Sequence, residues 1–406
     1  MKILFLSFYF QPDLSAGSFR NTALVESLLA NLPEGSELDV ITTLPNRYAG
    51  FKAEAPEDEV KANLTIKRIP LPQHESGMAD QSRSFLAYAK QVMRFVADRD
   101  YDVVFASSSR LMTATLGALI ARKKGAPLYL DIRDIFVDTI KEVLPRKLSW
   151  LMKPFFAAVE RWTVSKADRL NIVSAGFLPY FESRYPSISK VVFTNGIDEE
   201  FLRVAPSGRP ETVVARDTSS KVDTQDQRIF EILYAGNIGE GQGLHNLVPG
   251  LAKSLEGRAK FRLIGGGGRL RQLENAVAKA GCTNVVIEPP IPRSELIEAY
   301  KQADVLFLHL NDYEAFRKVL PSKLFEYGAL GKPILAGVAG YSASFIEDYL
   351  DNAEVFSPCS ESEAVEAFER LRIGDAARFE FVKRFSRRRI MDDMARDVIA
   401  LGEFRS

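Results

Sequence analysis

The chain of 406 residues is 46% hydrophobic and 26% charged, the composition of an ordinary soluble globular protein, and is long enough for two domains with separate cores. Its 53 Lys and Arg balance 53 Asp and Glu, so overall charge gives no case for nucleic-acid binding. The two cysteines, Cys282 and Cys359, have no metal-ligand spacing to each other or to His74, His245 and His309, which leaves no structural zinc site and points to a reducing compartment.

Met1 to Phe10 reads as a buried strand, Lys2 to Phe8, rather than a signal sequence, because Gln11-Pro12-Asp13 interrupts it and no small-residue cleavage pattern follows. Pro12-Asp-Leu-Ser-Ala-Gly17-Ser18 leads into a helix from Ser18 to Leu32 that Ser18 is placed to cap. Further strands follow at Glu37 to Thr42, Thr65 to Ile69, Val103 to Ala106, Leu128 to Asp131, Arg169 to Val173 and Val191 to Thr194, with a helix at Ser84 to Arg99. Short apolar strands alternating with amphipathic helices predict a parallel sheet covered on both faces.

Asp131-Ile-Arg133-Asp134 ends a strand, where open α/β sheets hold ligands. Asp134 is a candidate general base or hydrogen-bond anchor, unless it and Arg133 merely tie the loop. From Leu144 to Trp162, Leu144, Leu148, Leu151, Met152, Phe155, Phe156, Val159 and Trp162 recur at helical spacing among Arg146, Lys147, Lys153 and Arg161, and Pro154 is expected to bend or divide the helix. It either rests on an anionic lipid surface or packs under the first sheet with snorkelling lysines. No apolar run reaches the roughly 18 residues that span a bilayer, so no integral membrane protein is expected.

Thr194-Asn-Gly-Ile-Asp198 is a turn in which Asn195 and Gly196 tolerate positive φ. The stretch 205–228 turns polar and marks a junction between a first domain, 1–204, and a second, 229–384. The second half repeats the pattern, with strands at Ile229 to Tyr234, Lys260 to Ile264, Val285 to Ile287, Val305 to Leu308, Pro333 to Leu335 and Glu354 to Phe356, and a closing helix from Phe385 to Leu401. Both halves read as Rossmann-like.

Tyr234-Ala-Gly-Asn-Ile-Gly-Glu-Gly-Gln-Gly-Leu244 joins a strand to a helix and reads as a diphosphate loop, since glycines let backbone N–H groups approach a phosphate. Gly236, Gly239, Gly241 and Gly243 lack Gly-x-Gly-x-x-Gly spacing, so a nicotinamide cofactor is not expected. Gly265 to Gly268 is either a second close-approach loop or a flexible connection. In Lys318-Val-Leu-Pro-Ser-Lys-Leu-Phe-Glu-Tyr-Gly-Ala-Leu-Gly-Lys-Pro, Pro321 suits the first helical position and Ser322 the first turn. Glu326 lies a turn further on the same side, Gly331 ends the helix, and Pro333 precedes a return strand. Such a helix end suits a phosphate and the carboxylate a ribose diol.

Pro-Ser-Lys-x-x-Glu-Tyr-x-Ala-x-Gly-Lys-Pro resembles the donor-binding element of the family-4 glycosyltransferases of GT-B fold, and the resemblance spans nearly the whole chain. It implies an α/β protein of two Rossmann-like domains facing across a cleft, with the last helix (385–406) crossing back to the first. The implied activity is sugar transfer, with retained anomeric configuration and without a metal or other cofactor, from a nucleoside-diphosphate sugar, uridine diphosphate by family habit. The acceptor is a saccharide, free or linked to polyprenyl diphosphate, in surface-polysaccharide assembly. A cytoplasmic protein follows, peripheral at the inner face of the plasma membrane if 144–162 rests on lipid.

Residue by residue, Glu326 matches the ribose-holding glutamate. Its usual partner lies eight positions earlier, at Lys318, so either that role is lost or Glu314 fills it. The family places Arg and Lys where this chain has Asn237 and Gln242, which makes Lys323 the first candidate cation for the leaving diphosphate, with Lys318 and Arg269 behind it. Gly17 and Ser18 match the glycine loop that faces the donor phosphates across the cleft. Ser322, Gly236, Gly243, Gly265 and Gly266 complete the expected donor site, and Thr194 to Asp198 matches a recurrent turn after the last strand of the first domain. Two alternatives stay open: a GT-B nucleotide-sugar 2-epimerase, whose carboxylates and histidines are not evident, and a non-catalytic nucleotide-sugar-binding subunit, consistent with the missing cations.

Overall fold

A computed structural model describes residues 1–13, 15–45, 54–71, 78–108, 110–135, 137, 146–206 and 228–403. The chain forms two compact units, Met1–Asn195 with Arg387–Ser406, and Gly196–Ser386.

In the first unit, the strands among the described residues are β1 Lys2–Leu6, β2 Glu37–Thr43, β3 Asp58–Lys61, β4 Leu64–Ile69, β5 Val103–Ser107, β6 Leu128–Ile132, β7 Arg169–Ile172 and β8 Ser189–Val191. They form one sheet in the order β3-β4-β2-β1-β5-β6-β7-β8, parallel except for β3 against β4. β1, β5 and β6 read as continuous apolar runs because both sheet faces are covered, and nearly every residue in them is buried. β3 was not expected. Its Asp-Glu-Val-Lys is largely exposed at the sheet edge and carries no apolar pattern to betray it.

The last strand ends earlier than expected, at Val191 rather than Thr194. The carbonyls of Phe193 and Thr194 accept from the Arg20 guanidinium at 2.8 and 2.5 Å, and the Phe193 N–H donates to Asn171 Oδ1 at 2.7 Å. Side chains thus replace the ladder there. The helix Ala16–Asn31 is capped by Ser15, whose Oγ accepts from the Ser18 N–H at 3.1 Å. Ser18 is therefore not the cap; it lies inside the first turn and is buried.

The second unit holds β9 Phe230–Asn237, β10 Ala259–Gly266, β11 Val285–Glu288, β12 Val305–His309, β13 Ile334–Gly337 and β14 Ala353–Phe356, all parallel among the described residues, in the order β11-β10-β9-β12-β13-β14. Ile232, Leu247, Leu251, Phe261, Leu263, Phe307 and Leu335 belong to its core. In both units parallel pairing carries the strand ends to one edge of each sheet, where the loops of interest emerge.

The division falls at Asn195/Gly196, not in the polar stretch from 205, of which 207–227 lies outside the described residues. The reason is local. Ile197 is fully buried, its N–H donates to the Phe385 carbonyl at 2.7 Å, and Phe201 packs near Tyr300. Residues 196–204 therefore belong to the second unit. The closing helix runs Arg387–Glu403 and belongs to the first unit, with Met391, Met394, Ala395 and Val398 buried.

Candidate active site

In the second unit the key helix is Lys323–Leu330, two residues shorter at its start than the sequence suggests. Pro321 lies before it and Ser322 is the N-cap in αR conformation, because the Pro321 and Ser322 carbonyls already accept from Leu324 and Phe325 N–H. Gly331 ends it in the αL conformation, as expected from its position. One face is anchored: Phe325 packs on Phe345 and Phe385 with ring centroids 5.7 and 5.5 Å away, and Tyr327 stands edge-on to Tyr300 at 5.3 Å. That burial turns Ser322, Lys323 and Glu326 to the half-exposed side.

Lys323 reaches the end of β9. Its ammonium lies 5.6 Å from the Tyr234 ring centroid, and a Cβ built on Gly236 would overlap its Nζ and fall 2.7 Å from its Cε. Gly236, at φ +142°, is thus bare for two reasons: the backbone angle and the lysine that fills the space a side chain would take. Burial pushes the Lys323 pKa down, opposed by the Glu326 carboxylate. The Tyr234 hydroxyl donates to the Asn237 carbonyl at 2.6 Å and fixes the strand end.

Asn237 Nδ2 donates to Gln242 Oε1 at 2.8 Å, so the two amides form a neutral pair over the turn at Gly239. The four-glycine run has a packing role: a Cβ on Gly265, at φ +155°, would run into the Gly236 carbonyl, and the Gly266 carbonyl accepts from the Ile238 N–H at 2.8 Å. The run brings β9 and β10 together beneath the loop. Gly243 adopts αL just before the helix Leu244–Ser254. Arg269 pairs with Glu240 at 2.6 Å, and Tyr313 donates to the same carboxylate.

Arg293, which the sequence reading missed, pairs with Asp198 and with Glu200 (2.5 Å). Burial works against its charge, yet Asp198, Glu326 and Glu200 together raise its pKa. The Asn-Gly-Ile-Asp turn thereby acquires a role, since its Asp198 holds an arginine that shares the field of Glu326. An arginine opening a helix, Arg293–Gln302, carries no local sign of this partner. Asn195 keeps negative φ, and Gly196 alone of the two takes positive φ.

Glu314 and Lys318 bound a short 3-10 turn. Arg317 lies 3.8 Å from the Glu314 carboxylate, whose side chain is 76% exposed.

In the first unit Asp131 is fully buried and accepts from Arg20 Nη2 at 3.2 Å and Asn171 Nδ2 at 2.6 Å. Burial opposes its ionisation, but Arg20, Arg133 and the Asn171 bond hold its carboxyl below the usual range. Arg133 Nη1 stands 3.9 Å from Asp131, and a Cβ on Gly17 would sit 4.0 Å from Arg133 Nη2. Asp134 is pulled two ways: the protein mass around its carboxyl pushes the pKa up to about 6 against Arg133, yet the residue is exposed. Water at that exposed surface favours the charged form.

Residues 23–196 match the model of the glycosyl transferase 4-like domain, and residues 216–387 match that of the glycosyl transferases group 1. The two models together take in most of both units. The chain belongs to the family-4 glycosyltransferases of GT-B fold. This glycosyltransferase is 25% identical over 390 residues, 90% of each chain, to the putative colanic acid biosynthesis glycosyl transferase WcaI of Escherichia coli K12. Its fold matches Anabaena HepE, solved with UDP and glucose, at TM-score 0.65 and 14% identity over 98% of this chain and 99% of that one. It also matches WaaG, a glycosyltransferase involved in lipopolysaccharide biosynthesis, at TM-score 0.61 and 15% identity over 99% and 98%.

Of the two outcomes expected at Pro154 in the glycosyltransferase's first unit, division of the helix does not occur. The helix from Arg146 to Val164 passes through Pro154 undivided, with that proline exposed. Along it Phe155 is 57% exposed, Lys153 and Arg161 are exposed, and Met152, Phe156, Val159 and Trp162 are half-buried. Residues 144 and 145 lie outside the described residues.

Proposed function

We propose that this glycosyltransferase moves a sugar, with retention of anomeric configuration, from a nucleoside-diphosphate sugar to a saccharide hydroxyl in surface-polysaccharide assembly. The observation that carries this reading is the Lys323 ammonium set on bare Gly236, one turn from Glu326. A cation at a glycine loop suits a departing diphosphate, and a carboxylate at that distance suits a ribose diol. The bond from the anomeric carbon to the diphosphate oxygen breaks, the acceptor oxygen bonds to that carbon on the same face, and its proton passes to the departing phosphate. Lys323 and backbone amides supply the positive charge, so turnover persists in a chelator.

Uridine diphosphate is the first donor to test, in keeping with UDP in the HepE complex, and a polyprenyl-diphosphate-linked saccharide is the first acceptor, in keeping with WcaI's colanic acid role. Among the described residues no helix is long and apolar enough to cross a membrane. The exposed Phe155 beside Lys153 and Arg161 supports peripheral contact of the helix Arg146–Val164 with anionic lipid at the inner face of the plasma membrane.

The neutral Asn237–Gln242 pair favours a second reading, a nucleotide-sugar-binding subunit without catalysis. Screening nucleotide sugars for thermal stabilisation selects the donor, and transfer is then measured with that donor. Turnover that disappears in Glu326→Ala supports the transferase; donor binding without turnover supports the subunit.

A further inference from the structure

The turn 240–242 has its carbonyl oxygens occupied from one side. Asn311 Nδ2 donates to the Glu240 carbonyl at 3.2 Å, the Asn311 N–H to the Gly241 carbonyl at 2.8 Å, and His309 Nδ1 lies 2.6 Å from the Gln242 carbonyl. His309 ends β12 and is fully buried; Asn311, two residues on, is 7% exposed.

The state of the imidazole follows from its partners. The Cys359 N–H, which can only donate, lies 2.9 Å from His309 Nε2, so Nε2 accepts and Nδ1 carries the proton that goes to Gln242. Burial pushes the ring's pKa down to about 4, which keeps this neutral form throughout the ordinary range. Asn311 Oδ1 is fixed in turn by the Asp312 N–H at 3.2 Å and the Cys359 thiol at 3.3 Å.

We infer that His309 and Asn311 are positioning residues for the donor diphosphate, holding three successive carbonyls of the glycine loop so that none is offered to a phosphate oxygen. The inference deepens the nucleotide-sugar reading and rests on it. It matters here because Asn237 and Gln242 bring no charge to the loop. An untethered carbonyl turned toward a phosphate would repel it and work against the Lys323 cation at Gly236.

The test is calorimetric titration of the full chain with UDP, GDP, ADP and dTDP and with the matching monophosphates. His309→Phe keeps an aromatic ring beside Phe307 and Phe356 and removes both hydrogen bonds. Asn311→Leu removes the donor to Glu240 without adding charge to the turn. Each is expected to weaken the diphosphate on the order of ten- to a hundredfold and to leave the monophosphate within about twofold, because the inference sets the distal phosphate against the 240–242 turn. A general loss of structure would weaken both alike. Unchanged diphosphate-to-monophosphate ratios in the folded variants overturn the inference; if His309→Phe does not fold, Asn311→Leu decides. A wild type that binds none of the four diphosphates overturns the donor reading itself.

Discussion

The ammonium of Lys323 occupies the space that a side chain on Gly236 would need, so a residue from a helix start and one from a strand end form a single feature. Gly236→Ala tests it. The methyl would push the lysine aside and strain a backbone at φ +142°, the latter on the order of 1–3 kcal/mol. Turnover is expected to fall about a hundredfold with a lower melting temperature, both read on purified protein. Unchanged turnover would mean that the lysine's position is incidental.

The neutral Asn237–Gln242 pair stands where the family resemblance leads one to expect an Arg and a Lys. Asn237→Arg combined with Gln242→Lys should tighten nucleoside diphosphate binding about tenfold and make it more sensitive to salt. Affinity for the bare nucleoside should stay the same. Calorimetry at two ionic strengths reads both effects.

The buried Arg20–Asp131 pair ties the first helix of the first unit to the sheet and to the carbonyls of Phe193 and Thr194. Arg20→Met leaves a buried carboxylate without its main partner, at a cost of about 3–5 kcal/mol. The pH sign follows from Asp131's lowered pKa: the stability it contributes is fully present above its unfolded value, about 3.9, and is lost as pH falls through the lower folded value. In the variant, burial raises the same carboxyl. The deficit should therefore be largest near neutral pH and shrink toward pH of about 4, as denaturant titrations at both ends would read.

Punctuation made much of this molecule readable from its letters. Pro321, Gly331 and Pro333 framed the helix carrying Glu326, and continuous apolar runs marked strands buried on both faces, such as β1, β5 and β12. What escaped depends on partners distant in the chain. Nothing near Lys323 says that it rests on Gly236, and nothing near Arg293 says that it pairs with Asp198. Ser15 and Ser18 are equally able to cap, and only the backbone geometry chooses between them. His309 has no metal-ligand spacing, yet its apolar setting, Val-Leu-Phe-Leu-His, marks a buried ring that must find two partners.

The central claim is that the Lys323 cation stabilises the departing diphosphate. The most direct measurement is kcat at saturating donor for Lys323→Met beside the wild type, with melting temperature as the control for folding. The account predicts a fall on the order of a hundred- to a thousandfold with the fold retained. An unchanged kcat in a folded Lys323→Met protein would contradict it.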